Sequence, residues 1–461
     1  MCGVFGIRAP DRDVARVAYF GLFALQHRGQ ESAGIAVSDG GRLTVLRDMG
    51  LVAQVFNEQN LSGLQGEVAI GHTRYSTTGS TQWTNAQPIV QHGRARTVTL
   101  GHNGNLTNTQ ELRDELAADG IALSTTSDTE VIAALIANDP APLGEAIAKA
   151  MAKLEGAYTI VALAEGKLIG FRDPFGFRPL NLGSLDGDPV LASETCALDL
   201  VGAKHEREIA PGELVLIDEN GVESTRAVPQ AGGGALCLFE FIYLARPDST
   251  MAGIEMHAAR VRMGERLAKE APVEADLVMP APDSGTPAAI GFSRASGIPF
   301  SEGLIKNRYV GRTFIEPDQG LREQGIRLKF NPLSEVAGKR VVLVDDSIVR
   351  GNTTRRIVKL LFEAGAQEVH VRISAPPIVS PCFYGIDFAD EEQLVASSRT
   401  VEQVQEQIGA TTLAYISLDG VQEATTRPAS ELCSACFTRE YPTRIPADRT
   451  LAKFRFEPSR A

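Results

Sequence analysis

The run Val341-Val342-Leu343-Val344-Asp345-Asp346-Ser347-Ile348-Val349-Arg350-Gly351-Asn352-Thr353-Thr354 limits what this chain can fold into more than any other stretch. Four apolar, mostly β-branched residues predict a buried strand of a parallel sheet. Two carboxylates stand where the strand ends, and a hydroxyl-bearing loop with Gly351 follows. From Arg355 to Glu363 the apolar residues Ile357, Leu360 and Leu361 recur at helical spacing. In open α/β sheets, ligands bind outside the carboxyl ends of the strands. Backbone N–H groups and hydroxyls at a helix start suit a phosphate. The two carboxylates repel a phosphate, but suit sugar hydroxyls or a magnesium ion shared with a diphosphate. A phosphorylated ribose with a metal-bound diphosphate satisfies all three parts.

A chain of 461 residues is too long for one ordinary core, so two or three domains are expected. Its 45 basic and 57 acidic residues leave a net charge of −12, which argues against a nucleic-acid partner or an anionic membrane surface. No apolar run approaches the roughly 18 residues that span a bilayer. Met1 to Gly6 lack the basic start and long apolar core of a secretory signal, so a cytoplasmic location is expected. There, Cys2, Cys196, Cys237, Cys382, Cys433 and Cys436 point to catalysis, metal binding or burial rather than disulfides. Gln230-Ala231-Gly232-Gly233-Gly234 is the clearest break in composition, and domains are expected at 2–225 and 235–461.

Cys2 follows the initiator methionine. Trimming of Met1 would put thiol and α-amine on one residue, where an amine titrating near about 8 can act as base toward a thiol near about 8.5. Leu25-Gln26-His27-Arg28-Gly29-Gln30-Glu31-Ser32 closes a helical stretch with a polar cluster. His72-Thr73-Arg74-Tyr75 and His102-Asn103-Gly104-Asn105 each follow a short apolar strand. Thr107 with Gln110, and Ser127 with Glu130, predict capping boxes, the second placing Asp128 in the first turn of a helix. Taken one at a time, Arg28 and Arg74 read as surface ion pairs, Asp128 as a cap and Asn103-Gly104 as a turn.

As an ordered set from Cys2 to Val222, these motifs resemble the N-terminal nucleophile (class II) glutamine amidotransferases. The resemblance implies a four-layer αββα sandwich of antiparallel sheets. It implies Cys2 as nucleophile, its α-amine as general base, and the Asn103 amide with the Gly104 N–H as oxyanion hole. It also implies a glutamine site in which Arg74 holds the α-carboxylate, Asp128 the α-amine, and Arg28 orders Cys2.

The opening run resembles the 5-phosphoribosyl-1-diphosphate (PRPP) motif of type I phosphoribosyltransferases, in the form carried by glutamine PRPP amidotransferases. Their loop continues Thr-Thr-Ser; here it reads Asn352-Thr353-Thr354, which alters contacts but keeps polar groups. The resemblance implies a phosphoribosyltransferase domain with a parallel sheet, and PRPP bound by Asp345, Asp346, Ser347, Arg350, Gly351, Thr353 and Thr354. Ser284, in Asp283-Ser284-Gly285-Thr286, would join Asp345 and Asp346 on one Mg2+ ion per subunit. Lys306-Asn307-Arg308-Tyr309-Val310-Gly311-Arg312-Thr313 is similar to the family's loop that closes over PRPP, with Lys306 and Tyr309 as contacts, and closure would exclude water.

Cys237, Cys382, Cys433 and Cys436 form a thiol set that can ligate zinc or an iron–sulfur cluster. The segments around Cys382 and Cys433-Ser434-Ala435-Cys436 resemble the iron–sulfur branch of the amidotransferases, implying one [4Fe–4S] cluster per subunit. That branch often cleaves a propeptide ahead of the nucleophile, whereas here Met1 stands directly before Cys2. The expected activity is glutamine-dependent amination of PRPP. Purine nucleotides are the expected inhibitors and a homotetramer the expected assembly. Two alternatives remain: another amidotransferase, which would lack the acidic motif, and a non-catalytic PRPP-binding regulator, which has no use for Cys2.

Overall fold

Alternation along the Gly3–Arg8 strand sets up the first half: Phe5 and Ile7 face one way, Val4 the other. The computed structural model describes residues 1–76, 79–307, 330–388 and 391–446. Gly3–Arg8 sits inside an antiparallel sheet ordered Lys204–Glu208, Asn181–Leu185, Asp188–Ala192, Gly3–Arg8, Val68–Arg74, Ser32–Ser38, Leu43–Met49. A second antiparallel sheet runs Gly221–Arg226, Glu213–Asp218, Lys167–Arg172, Gly156–Ala164, Thr97–Leu106, Ile89–His92. Val4, Ile70, Val161, Leu168 and Val215 fill the space between the sheets. Phe5, Ile7 and Ile35 pack outward against the helix Val14–Ala24. Leu100, Ile160 and Phe171 pack against the helical layer of Thr109–Ala118, Asp128–Asn138 and Leu143–Lys153. Helix, sheet, sheet, helix is the four-layer sandwich that the resemblance implied.

Local readings fail where strands run further than their apolar cores suggest. Thr97–Leu106 includes Asn103 and Gly104, so they form part of a strand, not a turn. Likewise His72 to Arg74 complete the strand Val68–Arg74. The Thr107 capping box does not form: the N–H of Thr107 donates to Glu155 O, and the helix is capped from Asn108 without a side-chain bond. Ser127 does cap its helix, accepting from the Thr129 N–H. Glu130 turns back to the N–H groups of Ser124 and Thr125 instead of completing the box.

The second half is built on four parallel strands, in order Leu277–Pro280, Arg340–Asp345, Glu368–Ile373, Thr412–Tyr415. Asp345 therefore ends a strand buried between two neighbours. Phe177 of the sandwich stacks on Tyr384 of the second half, with ring centroids 4.1 Å apart. Asn105 Nδ2 donates to Phe383 O at 3.2 Å, and a Cβ on Gly385 would meet Gly104 backbone at 3.0 Å. Among the described residues, no helix is long and apolar enough to cross a membrane.

Helices Met256–Glu270 and Thr286–Ser296 cross on reciprocal glycines. A Cβ on Gly264 would stand 1.8 Å from Ala288 O, and one on Gly291 1.9 Å from Val261 O. Gly264→Val should therefore force the helices apart and cost about 1–3 kcal/mol or more. Thermal unfolding should report a clear drop in midpoint; an unchanged midpoint would mean the crossing is loose.

Two candidate active sites and a ring of cysteines

Cys2 is buried at the start of the Gly3–Arg8 strand, and Gly3 pairs with Thr73 of the neighbouring strand. That register brings Cys2 Sγ to 3.5 Å from both the N–H and the carbonyl of Tyr75. Burial pushes the thiol pKa up, opposed by the adjacent α-amine and the Tyr75 N–H. Met1 is itself only 6% exposed and belongs to the apolar core of the second half. Burial lowers its α-amine to about 5, with Arg178 and Arg28 adding to the effect.

Asn103 is fully buried, and neither Nδ2 nor Oδ1 has a hydrogen-bond partner. An unpartnered buried amide costs about 1–3 kcal/mol, so this one is a candidate for a ligand. Gly104 beside it has φ +155°, and a Cβ there would lie 2.1 Å from Ala157 O, which only glycine avoids. Arg74 is 2% exposed, with Nη1 donating to Ser80 O and Nη2 to Gly79 O. Asp128 accepts from the Leu106 N–H at 3.0 Å. Burial would raise its pKa, but His102, 3.6 Å away, and that N–H hold it below the usual value. Neither Arg28 nor Arg74 is a surface ion pair, because both are buried.

At the second site the register Pro280↔Val344 brings two loops out side by side. Gly285 lets the Ser284 loop settle on the neighbouring strand, since a Cβ there would meet Val344 O at 2.3 Å. Ser284 and Ser347 both hydrogen-bond the Asp346 carboxylate. Burial and the Asp346 charge push Asp345 well above the usual carboxylate range. Burial also raises Asp346, against Ser284, Ser347 and Arg260. Gly351 takes φ +76°, and the helix Asn352–Glu363 starts directly after it, with Thr353 exposed and Thr354 buried in its first turn. Lys306 Nζ reaches Asp283 Oδ2 at 2.6 Å, tying its strand to the Ser284 loop. Arg350 is exposed and bonds Gln393 instead of turning toward the acidic pair. Tyr309 lies outside the described residues.

Cys237, Cys382, Cys433 and Cys436 line one cavity, with Phe177, Arg178 and Tyr384. Leu236–Cys237 and Leu432–Cys433 are parallel partners, so Cys237 and Cys433 stand in register. Cys436 follows in the first turn of Ala435–Thr438. Burial raises the pKa of Cys237, Cys433 and Cys436. Among the described residues, no three His, Cys, Asp or Glu side chains crowd closely enough to grip a single ion; the four thiols instead surround a space. With neither carboxylate nor imidazole on its wall, this is a soft, all-sulfur donor set. Of the three readings open to the cysteines, Cys196 takes burial, packed in the core with Phe5 and Ile7.

What the sequence did not reveal is the buried ion cluster between the halves. Arg28 pairs through Nε with Glu194 and through Nη2 with Glu240 at 2.6 Å, all three side chains being inaccessible. Arg178 Nη1 reaches Glu240 Oε1 at 3.3 Å. Tyr75 O–H donates to Asp387 at 3.3 Å, a second polar link across the seam.

A glutamine amidotransferase domain family matches residues 72–199, and a phosphoribosyl transferase domain family residues 254–376. The amidophosphoribosyltransferase of Mycobacterium tuberculosis is 53% identical over 98% of this chain and 88% of its own length. This chain belongs to the amidophosphoribosyltransferase family. The amidophosphoribosyltransferase of Bacillus subtilis is 47% identical over 98% of this chain and 96% of its own length. A solved structure of glutamine PRPP amidotransferase from B. subtilis, complexed with ADP and GMP, has a TM-score of 0.91 at 47% identity and covers 97% of this chain and 98% of that one.

Glu194 also accepts from Ser249 Oγ and the Arg246 N–H. Despite burial, Arg28 and His27 hold its pKa well below the usual value. A depressed carboxylate stabilises the fold above its unfolded pKa and loses that contribution as pH falls through the folded one. Glu194→Gln should therefore cost about 3–5 kcal/mol at pH 7, because Arg28 loses a buried partner. In denaturant titrations the gap to the parent should narrow as pH drops below about 4.3. A gap independent of pH would show that charge is not what Glu194 contributes.

Proposed function

We propose that this chain transfers ammonia from glutamine to C1 of PRPP, giving 5-phosphoribosylamine, glutamate and diphosphate, the committing step of purine nucleotide synthesis. One observation carries the reading. A single chain holds a buried thiol and an unpartnered amide in one half, and two adjacent buried carboxylates beside a serine loop in the other.

In this mechanism Met1 is removed, which moves the α-amine to Cys2. A base must be neutral to accept a proton, and an α-amine on Cys2 would lie beside the buried thiol it serves. It takes the Cys2 proton as Sγ attacks the glutamine amide carbon. The Asn103 amide and the Gly104 N–H receive the developing oxyanion. Ammonia leaves with a proton, and water releases glutamate from the thioester. Arg74 would hold the substrate α-carboxylate and Asp128 its α-amine, while Arg28, fixed by its carboxylates, steadies the Cys2 end.

At the second site Asp345 and Asp346 would bind the ribose hydroxyls or a magnesium ion, with Ser284 on the metal side. The ion would neutralise charge on the departing diphosphate. Ser347, Gly351, Thr353 and Thr354 would cradle the 5-phosphate, and Lys306, Tyr309 and Arg350 complete the set. Ammonia then attacks C1 and diphosphate leaves from the opposite face.

The four cysteines surround a space that suits a [4Fe–4S] cluster better than the alternative, a single zinc ion, in a structural role that ties the C-terminal segment to the body. Purine nucleotides as inhibitors, a homotetramer, a cytoplasmic location and domain limits of 2–225 and 235–461 complete the proposal; the B. subtilis relative carries ADP and GMP.

Cys2→Ser should abolish phosphoribosylamine formation from glutamine and leave formation from ammonia within a few-fold of the parent. Persistence of glutamine-dependent turnover would refute the nucleophile. Asp345→Asn with Asp346→Asn should suppress turnover with either nitrogen source and weaken PRPP binding. Unchanged PRPP affinity and magnesium dependence would remove the acidic pair from the site.

A further inference from the structure

Arg178 is 1% exposed, and its guanidinium forms part of the wall of the four-cysteine cavity. Its Nε and Nη2 donate to Tyr384 O at 3.2 and 2.9 Å. Those bonds orient it but bring no countercharge. Its carboxylate partner is Glu240, reached at 3.3 Å, and Glu240 is engaged more closely by Arg28, at 2.6 Å. Arg28 has Glu194 as well. The charge of Arg178 is thus the less fully compensated of the two, in a place closed to bulk solvent. A buried cation in that position is costly until an anion joins it. The thiols across the cavity supply one only when they are ionised around a metal. Four thiolates around zinc, or around an oxidised four-iron core, carry a double negative charge.

We propose that Arg178 is a positioning residue whose fixed cation is the charge partner of the metal group held by Cys237, Cys382, Cys433 and Cys436, and that Glu240 tunes that attraction by sharing its carboxylate between Arg178 and Arg28. The inference rests on the metal-binding reading of the four cysteines. Arg178 acts electrostatically and is not a ligand. Through Glu240, the cavity and the residue that steadies Cys2 draw on one carboxylate. A group bound in the cavity draws Arg178 toward the thiolates and leaves Glu240 to Arg28.

The test is a chelator challenge on anaerobically purified full-length protein, following iron, acid-labile sulfide and zinc per chain. Far-ultraviolet circular dichroism checks that each variant is folded. Arg178→Met should release its metal about 10- to 100-fold more readily than the parent, the range typical for loss of an outer-shell partner. Arg178→Lys, which keeps the charge but not the fork, should recover most of the loss. Glu240→Gln leaves Arg178 less compensated and should release metal more slowly than the parent. If the group is coloured and redox-active, its reduction potential should fall in Arg178→Met and rise in Glu240→Gln, because a nearby cation favours the more negative, reduced state. Opposite shifts from the two variants are the signature of charge. Equal losses in Arg178→Met and Arg178→Lys, or a faster release in Glu240→Gln, would overturn the proposal and reduce Arg178 to a tie for the Tyr384 carbonyl. A parent that purifies with no metal would instead overturn the reading of the cysteines, and this inference with it.

Discussion

The Arg28 side chain is closed off from solvent, and its two carboxylates come from opposite halves of the chain. Glu194 belongs to the sandwich and Glu240 to the segment after the glycine-rich break. A buried guanidinium has to be met by charge and by geometry together, because removing one partner leaves an uncompensated ion in a low-dielectric interior. The fit between the halves is therefore set to within hydrogen-bond tolerance, far tighter than apolar contact alone demands. The stacking of Phe177 on Tyr384 and the approach of Gly385 to Gly104 depend on that placement. So does the strand that carries Asn103, since Asn105 is tied to Phe383.

Much of the architecture was legible because its signals are local. The apolar run before Asp345 is a parallel strand, and the helix begins directly after Gly351. The hairpin of Gly156–Ala164 and Lys167–Arg172 turns at Glu165-Gly166, both at positive φ, as their sequence suggests. The thiol set was legible as a set, although only folding gathers the three segments that carry it around one cavity.

What stayed hidden was long-range. Arg28 meets partners 166 and 212 residues away, and nothing in the spacing of a single arginine encodes that. The same limit explains Asn103 and Gly104. Asn-Gly is a turn signal on its own, but pairing with Gly156–Ala164 holds both residues extended, and a Cβ at Gly104 would strike Ala157. The misread capping box at Thr107 has this cause too, because the Thr107 N–H pairs with the distant Glu155 O and the helix starts only at Thr109.

Met1 is packed in the core of the second half, although it opens the first. A peptidase needs an extended, accessible terminus, and the folded chain does not offer one. If Met1 is trimmed, as the proposed mechanism requires, the trimming would have to precede the emergence of the segment from Leu236 onward, on the order of ten to fifty seconds at ribosomal speed. The seam between the halves would then act as a deadline: a chain that folds untrimmed keeps its methionine sealed inside.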